Sequence, residues 1–175
     1  MNIQKSLALI PELNDQIDLF KETFTQENNL SESNKIIVAW ATAVASQSKN
    51  LIDFIKSEVG ELSDSDKKIV QTASSRMAVT NPYFMSRNAH ALRAGGTLES
   101  LKMRPFQDLN IENSQGYHYA CIAISIINNG FVCFNSHISS LKADSQQDVA
   151  IDQAMRLVAS LCAIKQLLFN EENFQ

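Results

Sequence analysis

The chain has 175 residues, 45% of them apolar, and a formal net charge of -4, enough hydrophobic material for one compact domain or two small similar halves around a shared core. Charges of both signs are spread along the sequence with no basic, aromatic-bearing patch, which argues against nucleic-acid binding, and no apolar run approaches the ~18 residues of a membrane span. Cys121, Cys133 and Cys162 make an odd count with no Cys-x-x-Cys pair, which argues against a disulfide scaffold, a zinc ribbon or a dithiol redox motif.

Met1-Asn2-Ile3-Gln4-Lys5 leads straight into an amphipathic pattern without the features of a signal peptide, so a cytoplasmic location is expected. Only three Pro and five Gly interrupt the chain, and an all-α fold follows. Ile10 precedes Pro11, a favourable first-turn residue, and Leu13, Ile17, Phe20 and Phe24 then recur at helical spacing. Residues 26–34 read as a loop, with Ser31 or Ser33 as the next cap. Residues 35–45 are apolar on nearly every side, including Trp40, and predict a helix buried all round or shared with a subunit contact. A break at Gln47-Ser48-Lys49-Asn50 precedes a second helical face, Leu51, Ile52, Phe54 and Ile55.

Ser63-Asp64-Ser65-Asp66 caps the next helix, which carries Ile69, Ala73 and Met77. Asn81-Pro82 reads as the end of one segment and the start of another, continuing to Leu92, with Ala94-Gly95-Gly96-Thr97 as the stop. Residues 98–112 read as an irregular connector with a short helical turn. Residues 115–127 form a strongly apolar helix, Asn128-Asn129-Gly130 a turn, and a further helix starts there. Ser145 and Asp148 have capping-box-like spacing ahead of a closing helix through Leu168, and residues 170–175 read as a fraying tail.

Chemistry concentrates between Ile126 and His137. Cys133 falls in the first turns of a helix and His137 four residues on, so both share one face. A thiol near a helix N-terminus and beside an imidazole is an arrangement that raises cysteine reactivity. The same spacing also suits a buried inert thiol beside a structural histidine. His90 reads as a surface or inter-helix residue. Arg87, Arg93 and Arg104 read as solvated or paired, with an anion site as the alternative.

The helical order repeats about 82 positions apart, so that Ser48 lies over Gly130, Leu51 over Cys133 and Ile55 over His137. On this reading residues 1–175 form one domain of two pseudo-repeats. The first, at about 11–93, lacks active-site residues, and the second, at about 98–170, carries the Cys/His site.

The sequence resembles the alkylhydroperoxidase D family, the two-repeat members of the carboxymuconolactone decarboxylase-like superfamily. The likeness runs through Pro11-Glu12 in the segment from Leu7, Asn81-Pro82-Tyr83-Phe84, Leu101-Lys102-Met103-Arg104, and most clearly residues 123–141. There the family has Ile-Asn-Gly-Cys-x-His-Cys-x-x-x-His, and Ile127-Asn128, Cys133 and His137 match. The resemblance implies an all-α two-repeat helical bundle and a homotrimer. It also implies an antioxidant role in an alkyl hydroperoxide reductase system, reducing organic hydroperoxides. A peroxiredoxin and a lipoyl-bearing protein are the implied electron-transfer partners, and no cofactor is implied. The family motif is Glu, eleven residues, then Cys-x-x-Cys-x-x-x-His, with the second cysteine attacking peroxide and the Glu and His relaying protons. Here the first cysteine is Gly130, the His between the cysteines is Val132, and the relay Glu is His118.

The resulting expectation is a peroxidase working through Cys133, assisted by His137 and by His118. Cys121 and Cys162 are candidate resolving thiols, each also readable as an inert core residue, so that a small thiol or a partner protein is the expected reductant. His118, Cys133 and His137 together also suit a zinc ion. Two further readings are a degenerate relative that binds a small molecule or partner as a helical oligomer, and a decarboxylase or other proton-transfer enzyme.

Overall fold

The computed structural model describes residues 11–174. The Leu7 end of the family-like N-terminal pattern, the opening amphipathic stretch and Ile10 lie outside the described residues. Among those described there are seven α-helices: α1 (Asn14–Lys21), α2 (Glu32–Ala45), α3 (Lys49–Glu58), α4 (Asp64–Ala89), α5 (Ser114–Ile127), α6 (Phe131–Ala143) and α7 (Asp148–Asn173). No strand occurs among them, as an all-α fold requires.

The two most uniformly apolar helices, α2 and α5, pack against each other at the centre. A helix without a polar face has no side to turn to water, so the others assemble around these two. Helices α4, α6 and α7 all contact α5, and α3 and α7 contact α2. Trp40 belongs to this core and donates from Nε1 to the Gly60 carbonyl at 2.9 Å.

The helix starts follow their capping residues. Ser31, Ser48 and Ser63 each accept a hydrogen bond from a backbone N–H in the first turn of α2, α3 and α4. The next two helices end in a residue with positive φ. At the end of α5, Asn129 (φ 55°) is left-handed, and Gly130 N–H bonds the Ser125 carbonyl at 2.8 Å. At the end of α6, Ser145 (φ 60°) does the same, with Gln146 N–H on the Leu141 carbonyl at 2.9 Å. Ser145 therefore closes α6 rather than opening α7. The expected capping box is absent, and α7 starts after Gln147 with no side-chain cap.

Three further expectations are corrected. Asn81-Pro82 does not divide α4, which runs unbroken to Ala89 with Pro82 inside it. The missing N–H frees the carbonyl one turn earlier, at Ala78, and both residues lie on the exposed side of the helix, where the break in the ladder costs least. Helix α4 then stops at Ala89, before the glycines. Arg87 folds back to donate to the Leu92 and Ala94 carbonyls, both at 2.7 Å, and Tyr83 Oη accepts from Gly96 N–H at 2.8 Å. Finally, residues 170–173 are helical, continuing α7, although polar. Within α7, Val149 and Met155 are exposed, while Ile151, Ala154, Val158 and Leu161 face the core.

A buried polar knot joins the chain's beginning to its last helix. Gln153 of α7, fully buried, donates to the Thr23 and Glu27 carbonyls at 2.7 and 3.1 Å and accepts from Leu30 N–H at 2.8 Å. Lys35 Nζ, also buried, reaches the Phe24 carbonyl at 2.9 Å. Gln153→Leu removes the side-chain partner of the Thr23 carbonyl and of Leu30 N–H, while the Glu27 carbonyl keeps Lys35 Nζ at 3.2 Å, and we expect about 2–3 kcal/mol of destabilisation, read from the urea midpoint at unchanged m-value.

Candidate active site

Helices α5 and α6 are joined by the short turn at residues 128–130 and pack against each other. His118 of α5 and His137 of α6 meet there, with Nδ1 to Nδ1 at 2.9 Å. One ring must donate from Nδ1 and the other accept there, so the accepting ring carries no proton at Nδ1 and is neutral. The fit is aromatic as well: Phe106 stacks on His118 with centroids 5.5 Å apart, and Tyr117 meets His137 edge-on at 6.0 Å.

Burial sets the charge state. Desolvation depresses the His118 pKa, partly opposed by the Asp144 carboxylate. His137 is lowered to about 3, mainly by desolvation and then by the charges of His118 and Arg76. Tyr117 and Cys121 are both raised, burial being the largest cause, which holds them as neutral phenol and thiol.

Cys133 is the third residue of α6, buried at 6% exposure. It lines a cavity of about 230 Å³ together with His137 and Ser136 of the same helix, Tyr117 of α5, and Arg76, Met77, Thr80 and Phe84 of α4. Thus Cys133 and His137 share one chamber, and His118 stands behind His137. The hydrogen bond His137 makes is to His118 and not to the Cys133 thiol. Among the described residues no group of three His, Cys, Asp or Glu could hold a metal ion, so the three do not converge as ligands.

Gly130 explains itself by space. Its backbone φ of −84° needs no glycine, but a Cβ there would lie 2.3 Å from both Cγ and Nδ2 of Asn81. Asn81 is buried, donates to Ser125 Oγ at 3.0 Å and accepts from Asn128 Nδ2 at 3.2 Å. The volume a side chain at 130 would need is therefore already filled by α4.

Of the other candidates, Cys121 is wholly buried beside Tyr117 and its ionisation feels Cys133. Cys162 is exposed rather than in the core, a correction to the face assigned to it. His90 is exposed at the end of α4. Arg87 is used in the loop after α4. Arg76, Tyr117 and Asn81 are the site residues the sequence reading missed. Arg76 carries no local signal, Tyr117 is marked only by adjacency to His118, and Asn81 was read as a boundary.

The fold and this chamber define an all-helical protein with a thiol and paired imidazoles at one cavity. Comparison with known proteins narrows that class. A Caulobacter vibrioides protein (strain NA1000 / CB15N) named alkyl hydroperoxide reductase AhpD is 30% identical over 138 residues, 77% of this chain and 73% of the relative. A Rhodopseudomonas palustris protein (strain BisA53) of the same name is 24% identical over 166 residues, 94% of this chain and 91% of the relative. No protein-family model matches. The chain belongs to the alkyl hydroperoxide reductase AhpD family. Among the described residues no helix is long and apolar enough to cross a membrane.

Two outcomes follow. Gly130→Cys destabilises the fold by about 1–3 kcal/mol through overpacking against Asn81. In urea unfolding, Gly130→Cys with Asn81→Ala costs less than the sum of the single changes. Secondly, the unfolded chain protonates His137 near its ordinary 6.5 and the folded chain only near 3, so its stabilising share is full above 6.5 and declines as pH falls towards 3. His137→Gln flattens the stability profile most visibly between about pH 6.5 and 5, before carboxylates dominate.

Proposed function

We propose that this protein is an antioxidant peroxidase that reduces organic hydroperoxides at Cys133, with His137 and His118 moving the proton. The observation that carries the reading is that Cys133 and His137 line one cavity while His118 is hydrogen-bonded behind His137. In the productive tautomer His137 donates Nδ1–H to His118, leaving its Nε2 lone pair to accept the thiol proton. As Nε2 gains that proton, Nδ1–H passes to His118, so the positive charge moves off His137 onto the ring that feels the Asp144 carboxylate. The sulfur attacks the terminal peroxide oxygen. An S–O bond forms, the O–O bond breaks, and the departing alkoxide takes a proton back from the imidazole pair. The products are an alcohol and Cys133 sulfenic acid.

The second half of the cycle consumes a dithiol. One thiol condenses with the sulfenic acid, releasing water and forming a mixed disulfide. The other displaces Cys133 as free thiol and leaves the reductant as a disulfide. A lipoyl-bearing protein is a dithiol of this kind, and a peroxiredoxin is the further expected partner, in a cytoplasmic homotrimer. With Asn81 occupying the space at Gly130, no partner thiol sits at the family's first cysteine position, which is why the reductant is external. We also read the chain as two pseudo-repeats, the first a scaffold. In support, α2 and α5 are each 14 residues long and α4 and α7 each 26.

The same filled position favours a second reading, a binding protein without turnover. Treating reduced protein with an organic hydroperoxide and trapping sulfenic acid for mass spectrometry separates the two. We expect modification at Cys133, none in Cys133→Ser, and oxidation slowed about 100-fold in His137→Ala. A Cys133 that reacts no faster than a free thiol removes the peroxidase reading and leaves the binding one.

A further inference from the structure

The cavity beside Cys133 holds a charge that the thiol chemistry does not use. Arg76 presents its side chain to the chamber from the same face of α4 as Met77, Thr80 and Phe84. The remaining wall is mostly apolar, with Leu98 and Val132, and the lining contains no carboxylate. None of the ion pairs among the described residues includes Arg76. Arg76 is half-buried, and its charge acts on Tyr117, to which it also contributes a side-chain hydrogen bond, and on Cys121 and His137. The guanidinium is always charged and carries a planar fork of donors that matches a carboxylate. A largely apolar pocket with a few polar groups and one permanently charged side chain has the make-up of a ligand site, and the sign of that charge selects the ligand.

We propose that Arg76 makes this cavity a binding site for small apolar molecules bearing a carboxylate, such as short acyl or aryl acids. The carboxylate pairs with the guanidinium and the hydrocarbon lies against Met77, Phe84 and Leu98. Resting on the peroxidase reading, the same contact makes acid hydroperoxides better oxidants of Cys133 than neutral ones of equal size. The binding site itself does not depend on that reading.

The test uses Cys133 as a reporter of occupancy. Reduced full-length protein is labelled with iodoacetamide in the presence of hexanoate or its neutral isostere hexanamide, and the rate at Cys133 is followed by mass spectrometry. Hexanoate is expected to protect saturably at a concentration at least about 10-fold below that of hexanamide. Arg76→Gln is expected to abolish that difference and Arg76→Lys to keep part of it. Equal protection by the two compounds in the wild type, or none by either, overturns the proposal without any variant being needed. A retained preference in a helical Arg76→Gln protein overturns the role of Arg76. Protection by hexanoate with no sulfenic acid formed from any hydroperoxide upholds this site and removes only the peroxidase reading.

Discussion

The close approach of α4 to the α5–α6 turn governs the site. Asn81 fills the space that a Cβ at position 130 would need, and it is fixed there by Ser125 and Asn128. Interiors are packed densely, so a filled position of this kind restricts how α4 can shift against the α5–α6 turn. Arg76, Met77 and Thr80, in the turn and a half of α4 before Asn81, line the same cavity as Cys133 and His137. The glycine is needed for its missing side chain and not for its backbone freedom.

The second determinant is desolvation. Two imidazoles at hydrogen-bonding distance in water would titrate near neutrality. Here burial depresses both, so the pair is neutral at physiological pH and can pass a proton along its Nδ1–Nδ1 hydrogen bond. His118 couples to Asp144 at the surface end, and His137 opens to the cavity. A carboxylate at position 118 would bring a negative charge to the same place. The imidazole brings a neutral donor and acceptor instead.

Much of the fold was legible because it follows from periodicity and capping. The apolar runs at α2 and α5, and the serine caps at Ser31, Ser48 and Ser63, are local signals, and local physics decides them. The misreadings arose where a neighbour decided. Pro82 is tolerated inside α4 on a side of the helix where it and Ala78 are exposed. Ser145 takes a left-handed conformation to end α6 and so cannot cap α7. Cys133 and His137 were visible through their spacing and family frame, and His118 through its alignment position, but the sequence had no way to show that His137 would bond His118 instead of the thiol.

The sequence by itself determined the all-helical class, the place of each apolar face, the absence of a second thiol at position 130 and the family likeness. These depend on interactions within a few residues or on the identity of one residue. The tertiary structure decided the rest: the imidazole pair, the burial that keeps it neutral, the filling of position 130 by Asn81, and the convergence of Arg76 on the thiol's cavity. Each of those joins residues from different helices, and only packing of the helices sets the distances and the exclusion of water that give them their chemistry.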